Sequence, residues 1–193
     1  MKKIIIPIAL LTIGITNSAV SQGLYNFANL TIESGANLYV KTALNNNVGG
    51  TLSNAGTIHA SGNFSNSGTS TVESLVILDG NGAQSITGDS DFRDVLELNK
   101  TGGTATVTSG TTRVHGILRL SEGNMNANGN LVIASTAAGT GLVDDFSVGT
   151  HDGVLSGNLR VQRYITGVSG FRYIGAAVSN PPVSELSELG LYG

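Results

Sequence analysis

Hydrophobic positions in the first half of the chain recur every six residues, each two places after a glycine. The units over residues 50–67 read GTLSNA, GTIHAS and GNFSNS, with glycines Gly50, Gly56, Gly62 and Gly68 and apolar residues Leu52, Ile58 and Phe64. A helix needs apolar residues every three or four positions, so this spacing excludes one. We expect each unit to be a strand of three or four residues followed by a tight bend, with its apolar side chain inward and Asn or Gly at the corner.

Longer apolar runs follow, separated by short turn sequences. Strands are predicted at 74–78, 95–98, 104–108, 114–120 and 131–133, and turns at 79–82, 101–103, 121–123 and 126–130. Leu78, Leu98 and Leu120 end comparable strands at nearly equal intervals along the chain. Such a near-constant interval is typical of one coil of a β-solenoid, and it predicts about eight coils in the chain.

The predicted fold class is therefore all-β, a single-chain parallel β-solenoid (β-helix) of short strands. The alternative is an antiparallel β-sandwich, which also has many short strands. The six-residue units and the absence of proline between residues 8 and 180 favour the solenoid. Strands should pair in parallel between coils, and the predicted core is Leu52, Ile58, Phe64, Leu78, Leu98, Leu118, Leu120, Leu131 and Ile133.

The N-terminus has the features of a cleavable signal peptide over residues 1–21. Lys2 and Lys3 form a positive segment, residues 4–15 are apolar, and Ala19-Val20-Ser21 supplies the small residues of a cleavage site after Ser21. The apolar segment is shorter than the roughly 20 residues that span a bilayer, and no later segment is apolar for long enough. We therefore expect a secreted or cell-surface protein.

The remaining organisation is predicted as a repeat domain over 22–158, a capping segment over 159–179 and a sparse tail over 180–193. Alternating Leu159, Val161 and Arg163 predict one more coil, and Tyr164, Phe171 and Tyr173 are expected to cover the open end of the core. Because the tail has no strand-like run, we expect the chain to be incomplete or followed by a further domain.

Composition limits the possible functions. Only 12% of the 193 residues are charged and the formal net charge is −3, so there is no electrostatic case for nucleic acid. An exported chain without cysteine has no disulfides, and its stability must come from packing and backbone hydrogen bonds. Phosphate-loop and cofactor motifs are not recognised, so no cofactor is predicted.

The repeats resemble those of two groups of surface proteins. The run GTLSNAGTIHASGNFSNSGT is similar to repeats of filamentous-haemagglutinin-type adhesins, which are right-handed β-helices. The longer arrangement resembles secreted surface proteins of Bacteroidota, passengers of type IX secretion, in the segments GAQSITG (82–88), FRDVLELNKTGG (92–103), RVHGILRLSEGNM (113–125), NGNLVIAS (128–135), GNLRVQRYI (157–165) and FRYIGAAVS (171–179). These motifs consist of turn and core residues, so the resemblance implies fold and export more than activity.

Two groups of side chains are candidate sites. Asp89, Asp91 and Asp94 form the densest carboxylate group, but they lack the order of a calcium loop, and we interpret them as a solvated corner with an internal pair to Arg93. The histidines His59, His115 and His151 share no metal-ligand spacing, so neither a metal site nor a catalytic group is predicted.

A more specific surface feature is predicted on the strand 114–120. If Val114, Leu118 and Leu120 point inward, then Arg113, His115, Ile117 and Arg119 form an outward row that could contact an acidic glycan or a partner protein. The simpler interpretation is ordinary solvated strand decoration.

The function predicted is a structural, adhesin-like solenoid that displays a surface or spaces other domains, with surface glycans or extracellular proteins as partners. The alternatives are a polysaccharide-acting β-helix enzyme and a carbohydrate-binding module. The module should present exposed aromatics, for which Tyr39 is a candidate, whereas Phe64 and Phe92 are expected to be buried.

Overall fold

The computed structural model describes residues 23–144 and 152–165, which fold entirely as β-strands and connecting bends. The predicted signal peptide, the tail over 180–193, His151, Phe171 and Tyr173 lie outside these residues. The described ranges contain twenty strands, in chain order β1 (Leu24–Asn26), β2 (Asn29–Ile32), β3 (Asn37–Val40), β4 (Leu44–Asn46), β5 (Thr51–Asn54), β6 (Thr57–Ala60), β7 (Phe64–Asn66), β8 (Thr69–Val72), β9 (Val76–Leu78), β10 (Gln84–Gly88), β11 (Ser90–Phe92), β12 (Val95–Ser109), β13 (Thr112–Val114), β14 (Ile117–Asn126), β15 (Leu131–Ile133), β16 (Ser135–Thr136), β17 (Gly139–Thr140), β18 (Leu142–Val143), β19 (Val154–Ser156) and β20 (Leu159–Val161).

The strands form three faces of a parallel β-solenoid, with one strand of each face in each turn. Face 1 contains β1, β4, β7, β10, the second halves of β12 and β14, and β19. Face 2 contains β2, β5, β8, β11, β13, β15 and β20. Face 3 contains β3, β6, β9, the first halves of β12 and β14, and β18. About five turns lie between Leu24 and Gly123.

Parallel pairing confirms the predicted solenoid and excludes the sandwich. The one antiparallel pair among the described strands is the two-residue ladder of β16 and β17, which stands apart from the three faces. Leu78, Leu98 and Leu120 are direct register partners in successive turns, as their spacing predicts. The length of a turn is not constant, since fewer residues separate the face 2 partners Thr51 and Thr69 than separate Phe92 and Val114.

The glycines of the six-residue period lie at successive corners, so each unit supplies one side of a turn. A Cβ on Gly62 would lie 0.9 Å from the carbonyl oxygen of Thr42 in the preceding turn, and one on Gly56 would lie 2.3 Å from that of Ala36. Only a residue without a Cβ allows backbones to approach so closely. The period of six therefore reflects the contact of stacked corners as well as the shape of each bend.

The core is a continuous column of inward side chains, and all nine residues predicted for it are buried. Phe64 and Phe92 are also buried, with ring centroids 5.8 Å apart. Full burial of a side chain of this size contributes roughly 1.5–3 kcal/mol, so this column is the main source of stability in a chain without disulfides.

Three predictions about strands need correction. The strand predicted over 114–120 is broken at His115 and Gly116, where the chain turns from face 2 to face 3. A Cβ on Gly116 would lie 1.9 Å from the backbone oxygen of Asp94, so this corner is stacked as tightly as the earlier ones. Conversely, the turns predicted at 101–103 and 121–123 are corners within the continuous strands β12 and β14, which connect faces 1 and 3 into one sheet.

The predicted capping segment lies partly within the described residues. Leu159 and Val161 form β20, which pairs with β15 and adds the expected coil, although the strand ends before Arg163. Tyr164, in contrast, is 52% exposed and does not cover the core.

Candidate functional site

The predicted basic row is not one row in the structure. Arg113 lies on face 2, Arg119 lies on face 3, and His115 lies at the corner between them. At Gly116 the chain bends from face 2 to face 3. Outward side chains before and after this residue therefore lie on different faces of the solenoid. The strand alternation that predicted the row holds only within each strand: Val114, Leu118 and Leu120 are buried as expected.

Acidic groups of neighbouring turns accompany these basic residues. Arg113 Nη1 and His115 Nε2 lie 3.8 and 3.3 Å from Asp91 Oδ1. Arg119 Nε donates to Asp144 Oδ2 at 3.1 Å, and its Nη1 donates to Glu97 Oε2 at 3.4 Å. These pairs make the surface at this point close to neutral, which weakens the case for an acidic glycan. Whether any of the three residues binds a partner stays a prediction.

The carboxylates of residues 89–94 are separated rather than clustered. Asp91 faces the next turn, and Asp89 Oδ1 accepts a hydrogen bond of 2.8 Å from Thr111 N. The internal pair expected for Arg93 is wrong, because Arg93 Nε lies 3.4 Å from Glu73 Oε1 of the preceding turn. Within residues 23–144 and 152–165, no group of three His, Asp or Glu side chains could hold a metal ion.

A cluster on face 3 was not predicted as a unit. The rings of Tyr39 and His59 are stacked, with centroids 4.3 Å apart and planes 14° from parallel. His59 Nδ1 lies 3.0 Å from Asp79 Oδ2, and Ser61 Oγ donates to Asp79 Oδ1 at 2.7 Å. These four residues come from three successive turns, and we call them the Tyr39 cluster.

The order of contacts in the Tyr39 cluster differs from that of a hydrolase. In a Ser–His–Asp triad the histidine lies between the serine and the aspartate, so that it can take the serine proton. Here Asp79 lies between Ser61 and His59, so the histidine is not placed to activate the hydroxyl. The arrangement instead fixes the imidazole under the ring of Tyr39.

A signal for this cluster is present in the sequence. Tyr39, His59 and Asp79 are evenly spaced along the chain, at the same interval that separates Leu78 from Leu98. The register partner of His59 is however Ile77 and not Asp79, because on face 3 the turn between these strands has fewer residues than that interval. Asp79 therefore lies beyond Ile77 on the same side of the next strand, within reach of the imidazole nitrogen.

A second polar group lies inside a corner beside this cluster. Lys100 is 1% exposed, and its Nζ donates to the backbone oxygens of Gly80 and Gly82 at 2.6 and 3.0 Å and to Gln84 Oε1 at 3.1 Å. Desolvation lowers the pKa of Lys100, and the negative charge of Asp79 opposes this shift. Three acceptors satisfy the three donors of an ammonium, so this lysine has a structural explanation.

Face 1 differs from the other faces in its outward side chains. Its paired segments, which in β12 and β14 are residues 104–109 and 124–126, carry no charged residue, although Glu122 lies at the corner just before the second of these. Their outward positions include Tyr25, Asn45, Ser65, Ser85, Thr87, Thr104, Thr106, Asn124, Asn126, Val154 and Ser156. Asn45 and Ser65 are register partners, as are Ser85 and Thr106, so amide and hydroxyl groups follow one another from turn to turn. The outward side chains of face 1 are thus mainly polar and uncharged, with Tyr25 and Val154 as exposed apolar residues.

Comparisons with protein-family models, curated proteins and solved structures give no match to this chain. No helix of the described ranges is long and apolar enough to cross a membrane.

Proposed function

We propose that this protein is an exported, adhesin-like β-solenoid that serves as a display surface or spacer, with face 1 as its contact surface. The observation that supports this most is the in-register array of Asn, Ser and Thr side chains on face 1. Parallel strands are about 4.8 Å apart, so such an array offers regularly spaced hydrogen-bonding groups to an extended, uncharged surface. Export through residues 1–21 is part of the same proposal.

The physical argument rests on desolvation. Bringing two surfaces together removes water from the groups between them, and a charged group that loses its water without a partner carries a large penalty. Neutral amides and hydroxyls exchange hydrogen bonds with water for bonds with a partner at little net cost. A face without charge is therefore suited to broad contact with a neutral polymer.

The introduction of charged side chains on face 1 tests the proposal. Ser65→Lys with Thr106→Lys places two ammonium groups on face 1, and the control Ser53→Lys with Thr71→Lys places the same groups on face 2. We expect the face 1 variant to be retained less by films of insoluble polysaccharide and by bacterial cell surfaces, while the control is retained like the parent. Equal retention of both variants would contradict the role of face 1.

Two further measurements test export and the enzyme alternative. The protein recovered outside the cell should begin at Gln22, and deletion of residues 2–21 should keep it inside. Release of reducing ends from the same films would contradict a display function and would indicate a polysaccharide-acting enzyme.

A further inference from the structure

The Tyr39 cluster combines an exposed aromatic ring with a fixed support. Tyr39 is 59% exposed, although one face of its ring is stacked on His59. The side chains of His59 and Asp79 are only 22% and 27% exposed, so the support lies lower in the surface than the ring. A ring of this kind presents a flat apolar area of fixed orientation.

The backbone also holds the supporting residues in place. Ser61 N donates to Val40 O at 2.9 Å, and Asp79 N donates to Ala60 O at 3.2 Å, which connects the strand ends of three turns. A carboxylate oxygen only accepts hydrogen bonds, so Nδ1 of His59 is assigned as the donor toward Asp79. The imidazole cannot rotate without losing this bond, and the stacking on Tyr39 depends on its orientation.

Polar residues precede and follow Tyr39 along the chain. Asn37 is two residues before Tyr39 on β3, therefore on the same side of the strand and roughly 7 Å away along it. Lys41 is two residues after Tyr39, in the bend that follows β3. Both are exposed. A peptide side chain or a lipid tail would need an apolar surround, whereas the exposed residues near Tyr39 in the chain carry an amide and an ammonium.

We infer that the Tyr39 cluster is a saccharide-binding site. The apolar C–H face of a pyranose stacks on the open face of Tyr39, and its hydroxyls bond with Asn37 and Lys41. His59 and Asp79 are positioning residues that reduce the entropy lost by the ring on binding. The inference names a glycan as the partner and so rests on the proposed adhesive function, but it uses face 3 rather than face 1.

Titration of the purified exported chain with soluble hexasaccharides tests this site. The probes are cellohexaose, chitohexaose, hexamannose and hexagalacturonate, with binding followed by calorimetry and by the aromatic NMR signals of Tyr39 and His59. At least one probe should shift these signals. Tyr39→Ala should then raise the Kd by about tenfold or more, since about 1.4 kcal/mol of lost contact corresponds to that factor.

Tyr164→Ala is the matched control, because Tyr164 is 52% exposed, lies after β20 outside both face 1 and the Tyr39 cluster, and stacks on no ring among the described residues. It should leave the Kd within about twofold of the parent value. Because both tyrosines are exposed, we expect both variants to fold and to have the melting temperature of the parent.

Variants of His59 separate positioning from a merely structural role. His59→Phe keeps a flat ring under Tyr39 and should preserve most of the affinity, whereas His59→Ala should raise the Kd several-fold at similar thermal stability. No shift with any probe, or equal loss in Tyr39→Ala and Tyr164→Ala, would overturn the inference. The lysine variants of face 1 should bind the hexasaccharides normally, so failure of this site and failure of the proposed function are distinguishable.

Discussion

Asn26 Nδ2 donates a 2.7 Å hydrogen bond to Oδ1 of Asn46, which occupies the same corner one turn later. Asn46 Nδ2 in turn donates to Asn66 Oδ1 at 2.7 Å, and all three side chains are buried. The same amides also donate to the backbone: Asn26 to Thr51 O and Asn46 to Thr69 O. A buried polar group is stabilising only when it is paired, so this ladder fixes the stacking of the corner.

Replacement of the middle asparagine should be costly. Asn46→Ala leaves buried groups of Asn26 and Asn66 without their partner, and we expect the free energy of unfolding to fall by about 2–4 kcal/mol. The matched control is Asn45→Ala on the outward side of the same strand, which should change it by less than about 0.5 kcal/mol. Urea denaturation measures both values, and an equal loss would show that the ladder adds no stability.

The corner glycines should tolerate no side chain. Gly62→Ala would bring a Cβ within 0.9 Å of Thr42 O, so the two turns must separate. We expect a loss of about 3 kcal/mol or more in unfolding free energy, or failure to fold. Gly139→Ala is the control, because nothing lies within 4 Å of its added Cβ. Similar melting temperatures for the two variants would contradict the close stacking.

Lys100 should make stability depend on pH. Its pKa is lowered by burial, so the unfolded chain binds more protons than the folded chain between that lowered pKa and the pKa of an exposed lysine. The free energy of unfolding should therefore rise with pH across this interval. Lys100→Met should lack this rise, while Lys41→Met, which changes an exposed lysine, should keep it. Parallel pH profiles for the parent and Lys100→Met would contradict the assignment.

Two buried hydroxyls offer a gain in stability. Ser90 and Thr112 are register partners that point inward from face 2, and neither Ser90 Oγ nor Thr112 Oγ1 has a hydrogen-bond partner in the described structure. Thr112→Val keeps the shape and removes the unpaired hydroxyl, so we expect a gain of about 1 kcal/mol. Thr69→Val at an exposed position should be neutral. A less stable Thr112→Val protein would imply an unseen partner for the hydroxyl.

The last described coil should protect the end of the solenoid. β15 pairs with β13 on one side and with β20 on the other, so deletion of residues 159–193 would leave one edge of β15 unpaired and expose Leu131 and Ile133 at the end of the core. Unpaired strand edges associate with other copies. We expect oligomers by light scattering and a lower melting temperature, whereas deletion of 180–193 alone should be nearly silent. A monomeric 159–193 deletion with the parent melting temperature would be inconsistent with a cap.

Much of the fold could be predicted because the pattern is local. Inward and outward positions alternate along each strand, so Leu52, Ile58 and Phe64 were identifiable as core from the units alone. Glycine at each corner and the spacing of Leu78, Leu98 and Leu120 then indicated parallel stacking, since side chains of one column recur once in each turn. By itself, the sequence determined the fold class, most of the core and the positions of many of the bends, but not the bend at Gly116.

Tertiary structure decided which outward residues become neighbours. The corner at Gly116 separates Arg113 from Arg119, although they are close in sequence, while His59 and Asp79 come within 3.0 Å from successive turns. The physical reason is that the length of a turn varies with the residues needed at its corners. A difference of two residues in the length of a turn keeps every side chain on the same side of its strand but changes which residue is its neighbour in the next turn. Alternation along the sequence therefore specifies which side chains point outward, whereas only the stacking of the turns specifies which residues they contact.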